Sequence, residues 1–162
     1  MSDLQLTPIS ILFVDPDIED RAYWVRRLEL ASPEYVITTV EEGRTAIEMC
    51  RSRRFDCVVL ELKLPDISGF EVLTHLCPVA SQPDVAVVIL TKLLFTTLSA
   101  AARTNGAQSY LIKPQTSGDQ LDTAIQKAVA RVGPTSKRLP TQAMLNDRES
   151  LRGGAESETI DG

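Results

Sequence analysis

Between residues 9 and 132 the chain alternates short, nearly continuous apolar runs with longer segments whose apolar residues recur at helical spacing. Strand and helix in strict rotation is the pattern of βαβ units, because a tight turn cannot return the chain parallel to the strand it has just left. The spacing predicts strands over 9–14, 35–40, 57–62, 85–91 and 109–112, and helices over 18–31, 43–53, 69–76, 96–105 and 118–132. Runs such as "CVVLEL" and "VAVVIL" are apolar at successive positions, which suits a sheet covered on both faces. In the last helix Leu121, Ala124, Ile125, Ala128 and Val132 fall on one side. The expected fold is a doubly wound α/β domain, a five-stranded parallel sheet with five helices.

Length and composition agree. A chain of 162 residues suffices for one domain with a proper core. Residues 1–8 read as an N-terminal extension, and past Val132 the chain loses its aromatics and fills with Gly, Pro, Ser and charge, so 133–162 is expected to be a flexible linker or tail. A short helix near 141–152, capped by Thr141, is an alternative there. No apolar run approaches the ~20 residues that span a bilayer, and "MSDLQLTPIS" lacks the basic start and apolar core of a signal peptide, so a cytoplasmic protein with no membrane contact is expected. A net charge of −5 argues against direct nucleic-acid binding, which draws its affinity from basic residues meeting phosphates. Cys50, Cys57 and Cys77 are odd in number, form no CxxC and have only His75 for company, which predicts reduced structural thiols, Cys57 on a buried strand.

In an open α/β sheet, ligands sit beyond the carboxyl ends of the strands, near the switch in strand order. By the predicted elements those ends carry Asp15, Glu61, Thr91 and Lys113. Carboxylates can hold Mg²⁺ or accept a phosphoryl group, a hydroxyl can bond a phosphoryl oxygen, and an ammonium can offset its charge. Solvated charges at strand ends are common, but four chemically complementary groups at four strand ends are a pattern.

These residues resemble the receiver domain of two-component response regulators, the CheY-like superfamily, over about 9–132. The likeness rests on "ILFVD", "FDCVVLELKLPDISGFEVL", "VAVVILT" and "NGAQSYLIKP". It implies a flavodoxin-like sheet of strand order 2-1-3-4-5. It also places Glu61 where the family has its phospho-acceptor Asp, with Pro65 and Gly69 at the family's spacings after it. Thr91 falls on the switch hydroxyl, Tyr110 on the switch aromatic, and Lys113 on the family's lysine, followed by a cis-bonded Pro114. Two departures touch the chemistry. Glu61 replaces the acceptor, and Pro16 replaces the second acid of the first-strand pair, so Asp15 is left as a weak Mg²⁺ ligand of a degraded site and no other cofactor is expected. Asp17 lies one residue further on, where helix capping is the favoured role. Lys63 and Lys92 are charge partners for Glu61, or simply solvated.

The resemblance thus implies a non-enzymatic receiver that acts by protein contacts without phosphorylation, with an internal Glu61–Lys113 pair imitating phospho-aspartate or merely neutralising a lysine. A phosphorylatable receiver with a non-standard acceptor is the alternative. "FVDPD" also resembles the nucleophile motif of haloacid-dehalogenase-type phosphatases, with Asp15 and Asp17 as the pair, but the loop residues Pro65 and Gly69 then go unexplained. By resemblance the partner surface is the face of the fourth helix, fifth strand and fifth helix: residues 92–105, Tyr110 and 118–131. A histidine kinase, another signalling protein or a second copy are the partners to expect there. "LLFTTL" at 93–98 is either an exposed contact patch or core, and Tyr23 and Trp24 are expected to be partly buried. With no output domain in 162 residues, the chain reads as a stand-alone receiver or a piece of a longer regulator.

Overall fold

The computed structural model describes residues 7–133. Five parallel strands, β1 (Ile9–Val14), β2 (Tyr35–Val40), β3 (Cys57–Leu60), β4 (Ala86–Thr91) and β5 (Ser109–Ile112), pair in the order β2-β1-β3-β4-β5. The helices between them are α1 (Ile18–Ala31), α2 (Gly43–Ser52), α3 (Gly69–Leu76), α4 (Thr96–Thr104) and α5 (Gly118–Val132). The expected architecture is the one observed.

Alternation along the strands builds two cores. From β1, Leu12 and Val14 face a cluster with Ala46, Val72, Leu73 and Ala102 of α2, α3 and α4. Ile11 and Phe13 face the opposite cluster, with Trp24 and Leu28 of α1 and Leu121 and Ile125 of α5. A one-residue slip would exchange the two sets, so register is strongly specified. Burying each such large apolar side chain contributes about 1.5–3 kcal/mol.

Four details depart from the sequence reading. β3 stops at Leu60 rather than residue 62, because the next backbone N–H groups turn onto Glu61's own carboxylate. Trp24, expected to be partly buried, is core at 3 % exposure, while Tyr23 is half-buried, packed edge-on against Trp24 with Arg27 over its ring. The Lys113–Pro114 bond is trans, and residues 113–115 form a 3₁₀ turn into which the fixed φ of proline fits. The segment at 93–98 is divided: Leu93 and Leu98 pack against the core, while Leu94 and Phe95 stand out in solvent. Cys50, Cys57 and Cys77 form no disulfide, Cys57 and Cys77 are buried, and burial pushes the Cys50 and Cys77 thiols up to about 12. Among the described residues no helix is long and apolar enough to cross a membrane. The helix expected near 141–152 lies outside the described residues.

Candidate functional site

Strand order reverses direction between β1 and β3, so the crevice of this sheet opens at their carboxyl ends. Asp15 arrives there directly from β1. Its backbone N–H still donates to the Val40 carbonyl at 3.1 Å, and its Oδ1 accepts the Asp17 N–H at 2.9 Å, closing a short turn around the exposed Pro16. Asp17 is thereby placed as the N-cap of α1, its Oδ1 accepting from the N–H groups of Glu19 and Asp20. Such a cap is worth about 1 kcal/mol. Asp17 is exposed, and its carboxylate is engaged in that cap.

Glu61 follows β3, pinned by its N–H to the Val14 carbonyl at 3.0 Å. Its Oε1 accepts three donors: the N–H groups of Leu62 (2.8 Å) and Lys63 (3.2 Å) and, in a short hydrogen bond, the fully buried Thr91 hydroxyl. Its Oε2 lies 2.9 Å from the Lys113 ammonium. The loop after Glu61 returns tightly enough that a Cβ on Gly69 would sit 2.6 Å from the Glu61 carbonyl oxygen and the Leu62 Cα. Only glycine leaves that backbone undisturbed. Asp66 in the same loop accepts the N–H groups of Gly43 and Arg44, capping α2 from outside and tying the loop to it.

Lys113 is the hub of the crevice. Its Nζ lies 2.6 Å from Asp15 Oδ2, 2.9 Å from Asp20 Oδ2 and 2.9 Å from Glu61 Oε2. Asp15, Glu61 and Lys113 are almost wholly buried side chains, whereas Asp20 keeps 24 % of its side chain in solvent and also pairs with the exposed Lys92 ammonium at 3.4 Å. Burial alone would lower the Lys113 pKa, but the hydrogen bonds to Asp15, Glu61 and Asp20 outweigh it and hold the ammonium charged well above its ordinary range. For Asp15 burial wins over Lys113 and raises the pKa. For Asp20, better solvated, Lys113 and Lys92 overcome the cost of burial and lower it. The two directions differ because Asp15 is the more deeply buried of the two.

Thus the four strand-end residues meet, while the charge partners expected of Glu61 do not. Lys92 engages Asp20 instead, and Lys63 reaches Glu61 through its backbone N–H. Asp20 was missed from sequence. An acid in the first turn of a helix already has a reason to be there in the helix dipole, and "DIED" offers nothing that separates it from its neighbours. Tyr110 is bonded to the loop after β4. Its ring is buried and its hydroxyl donates to the Leu93 carbonyl at 2.7 Å, two residues beyond Thr91, whose Oγ1 in turn accepts the Leu93 N–H at 3.3 Å. Burial and the nearby Glu61 charge both raise the Tyr110 pKa.

The donor set does not fit Mg²⁺, which needs near-octahedral oxygen ligands at about 2.0–2.1 Å. The inward carboxylate oxygens of Asp15, Asp20 and Glu61 converge on an ammonium, the other oxygens of Asp15 and Glu61 accept backbone or hydroxyl donors, and the Pro16 side chain supplies no ligand. Among the described residues no group of three His, Cys, Asp or Glu is arranged to hold a metal ion.

Comparison with known proteins agrees with the geometry. A family model described as "Response regulator receiver domain" matches residues 11–126. The chain is 30% identical over 142 residues to the protein named TcrX of Mycobacterium tuberculosis, covering 86% of this chain and 58% of that one. It is 35% identical over 95 residues to the regulatory protein LuxO of Vibrio vulnificus, covering 59% and 20%. The chain therefore spans only part of the length of these relatives. A solved signal receiver domain from Vibrio parahaemolyticus superposes with a TM-score of 0.70 at 26% identity, covering 77% of this chain and 92% of that one. A CheY-like receiver from Methanospirillum hungatei gives 0.66 at 21% identity over 77% and 96%, a likeness of fold alone.

Proposed function

This chain belongs to the response regulator receiver domain family, and on that premise we propose that residues 9–132 form a receiver whose signalling state is set without phosphorylation, by Glu61 at the acceptor position. Receivers are signalling modules that work through kinases or effectors, and the proposed output of this one is a protein contact rather than catalysis.

The observation that carries the reading is the grip on Glu61. One carboxylate engages the Thr91 hydroxyl, the Lys113 ammonium and two backbone N–H groups at once. These are the donor types suited to the oxygens of an acyl phosphate, and the extra methylene of glutamate carries its oxygens about a bond length further toward them than aspartate could. The inward Tyr110, bonded to Leu93 beside Thr91, supports an active-like rather than a resting arrangement. The opposing reading, a phosphorylatable glutamate, finds little support. Neither oxygen of Glu61 is without a donor, and in-line transfer tolerates misplacement of only about 1 Å. A phosphatase using Asp15 and Asp17 is disfavoured because Asp17 is spent as a helix cap.

The proposed partner surface is the α4-β5-α5 face, where Leu94 and Phe95 are exposed at the start of a helix lacking a side-chain cap. Intact-mass spectrometry after incubation with acetyl phosphate and Mg²⁺ tests the reading. The wild type is expected to stay unmodified, and a labile phosphoryl adduct on Glu61 would overturn it.

A further inference from the structure

An ammonium group has three N–H donors and no acceptor. At Lys113 hydrogen bonds run to Asp15 from the end of β1 and to Asp20 from the first turn of α1, and Glu61 from the end of β3 completes the set as an ion pair at 2.9 Å. One ammonium thus faces three carboxylates. Three separate elements close around one positive charge.

Asp20 has a second engagement. The same Oδ2 that meets Lys113 lies 3.4 Å from Lys92, the first residue after β4. Lys92 begins the segment whose next residue, Leu93, receives the Tyr110 hydroxyl and donates to Thr91. A chain of contacts therefore runs from the buried ammonium through Asp20 and Lys92 to the loop that holds the Tyr110 ring in place.

We propose that Lys113 is the resident cation of this crevice, held by Asp15, Asp20 and Glu61 in place of a divalent metal, and that Asp20 is the positioning residue that ties it to the β4–α4 loop through Lys92. This deepens the phosphorylation-independent reading and rests on it. The crevice is closed to Mg²⁺ because its ligands are already taken, and the loop keeps its position whether or not Mg²⁺ is present.

The test is an NMR and thermal-unfolding series on the full chain with MgCl₂, using NaCl at matched ionic strength as control. For the wild type, amide signals of residues 61–63 and the unfolding midpoint are expected to be the same in both salts. Lys113→Met removes the internal cation and leaves three converging carboxylates, so it is expected to gain a saturable rise in midpoint with MgCl₂ alone. Should that variant not fold in either salt, the loop arm decides. Asp20→Asn is expected to shift the amides of Lys92 and Leu93 and the ring signals of Tyr110, Lys92→Gln to shift the same set, and the double variant to go no further than Asp20→Asn.

A saturable Mg²⁺ response in the wild type, a folded Lys113→Met indifferent to Mg²⁺, or an Asp20→Asn protein with unchanged signals at 92–93 would each overturn the proposal. None of these readouts involves a phosphodonor. Failure of the Glu61 reading would instead appear as labelling by acetyl phosphate, with the Asp20 result left standing.

Discussion

The Tyr110 hydroxyl donates to the Leu93 carbonyl at 2.7 Å, and that one bond joins the edge strand β5 to the loop after β4. The same loop is also held by the Leu93 N–H on Thr91 Oγ1, by Leu93 against the core and by Lys92 on Asp20, whereas Leu94 and Phe95 project into solvent. Tyr110→Phe keeps the ring and deletes the bond. It is expected to cost about 0.5–1.5 kcal/mol in urea unfolding and to speed amide exchange at residues 92–95 with little effect on β1 and β3.

Removing Lys113 is expected to be far more damaging than neutralising Glu61. Lys113→Met leaves Asp15, Asp20 and Glu61 facing one another in a buried site, a loss of about 3–5 kcal/mol by the usual cost of breaking a buried ion pair. In Glu61→Gln the ammonium retains two carboxylates and the amide oxygen remains an acceptor, so about 1–3 kcal/mol is expected. Equilibrium unfolding of the two variants at neutral pH checks the order.

Acid sensitivity has a definite sign at Asp20. Its pKa is lowered in the folded chain, so its contribution is fully present above the unfolded value of about 3.9 and disappears as pH falls through the folded value. Asp20→Asn is expected to be less stable than wild type at pH 6 and to lose stability less steeply below about pH 4. Parallel acid limbs for the two proteins would contradict the assignment.

Gly69 is expected to matter through the site rather than through its helix. Alanine is the better helix former, by about 1 kcal/mol, yet its Cβ would be driven into the backbone of Glu61 and Leu62. Gly69→Ala is therefore expected to destabilise, by about 1–3 kcal/mol as for other overpacked sites, and to shift the amide signals of residues 61–63.

Much of the crevice was legible in the sequence because a doubly wound sheet delivers residues to its carboxyl edge wherever the apolar runs end. Asp15, Glu61, Thr91 and Lys113 could be placed on that logic with no knowledge of side-chain directions. The missed contacts depend on such directions. Asp20 lies one helical turn beyond the crevice-facing backbone and reaches back into it, and Lys92 leans to Asp20 rather than to Glu61. The early end of β3 is of the same kind, since a side chain competing for its own following N–H groups leaves no periodic trace. Tyr23 and Trp24 are adjacent on α1, and the roughly 100° of helix phase between neighbours leaves one half in solvent and puts the other in the core.

The most direct test of the central claim is the state of Tyr110 in wild type and Glu61→Gln, compared by ring NMR with neither phosphodonor nor Mg²⁺ present. If Glu61 itself sets the state, the wild-type ring is inward and the variant shows a solvent-exposed or exchanging ring, together with weaker binding to any partner of the α4-β5-α5 face. An unchanged Tyr110 environment and undiminished partner affinity in Glu61→Gln would contradict the account.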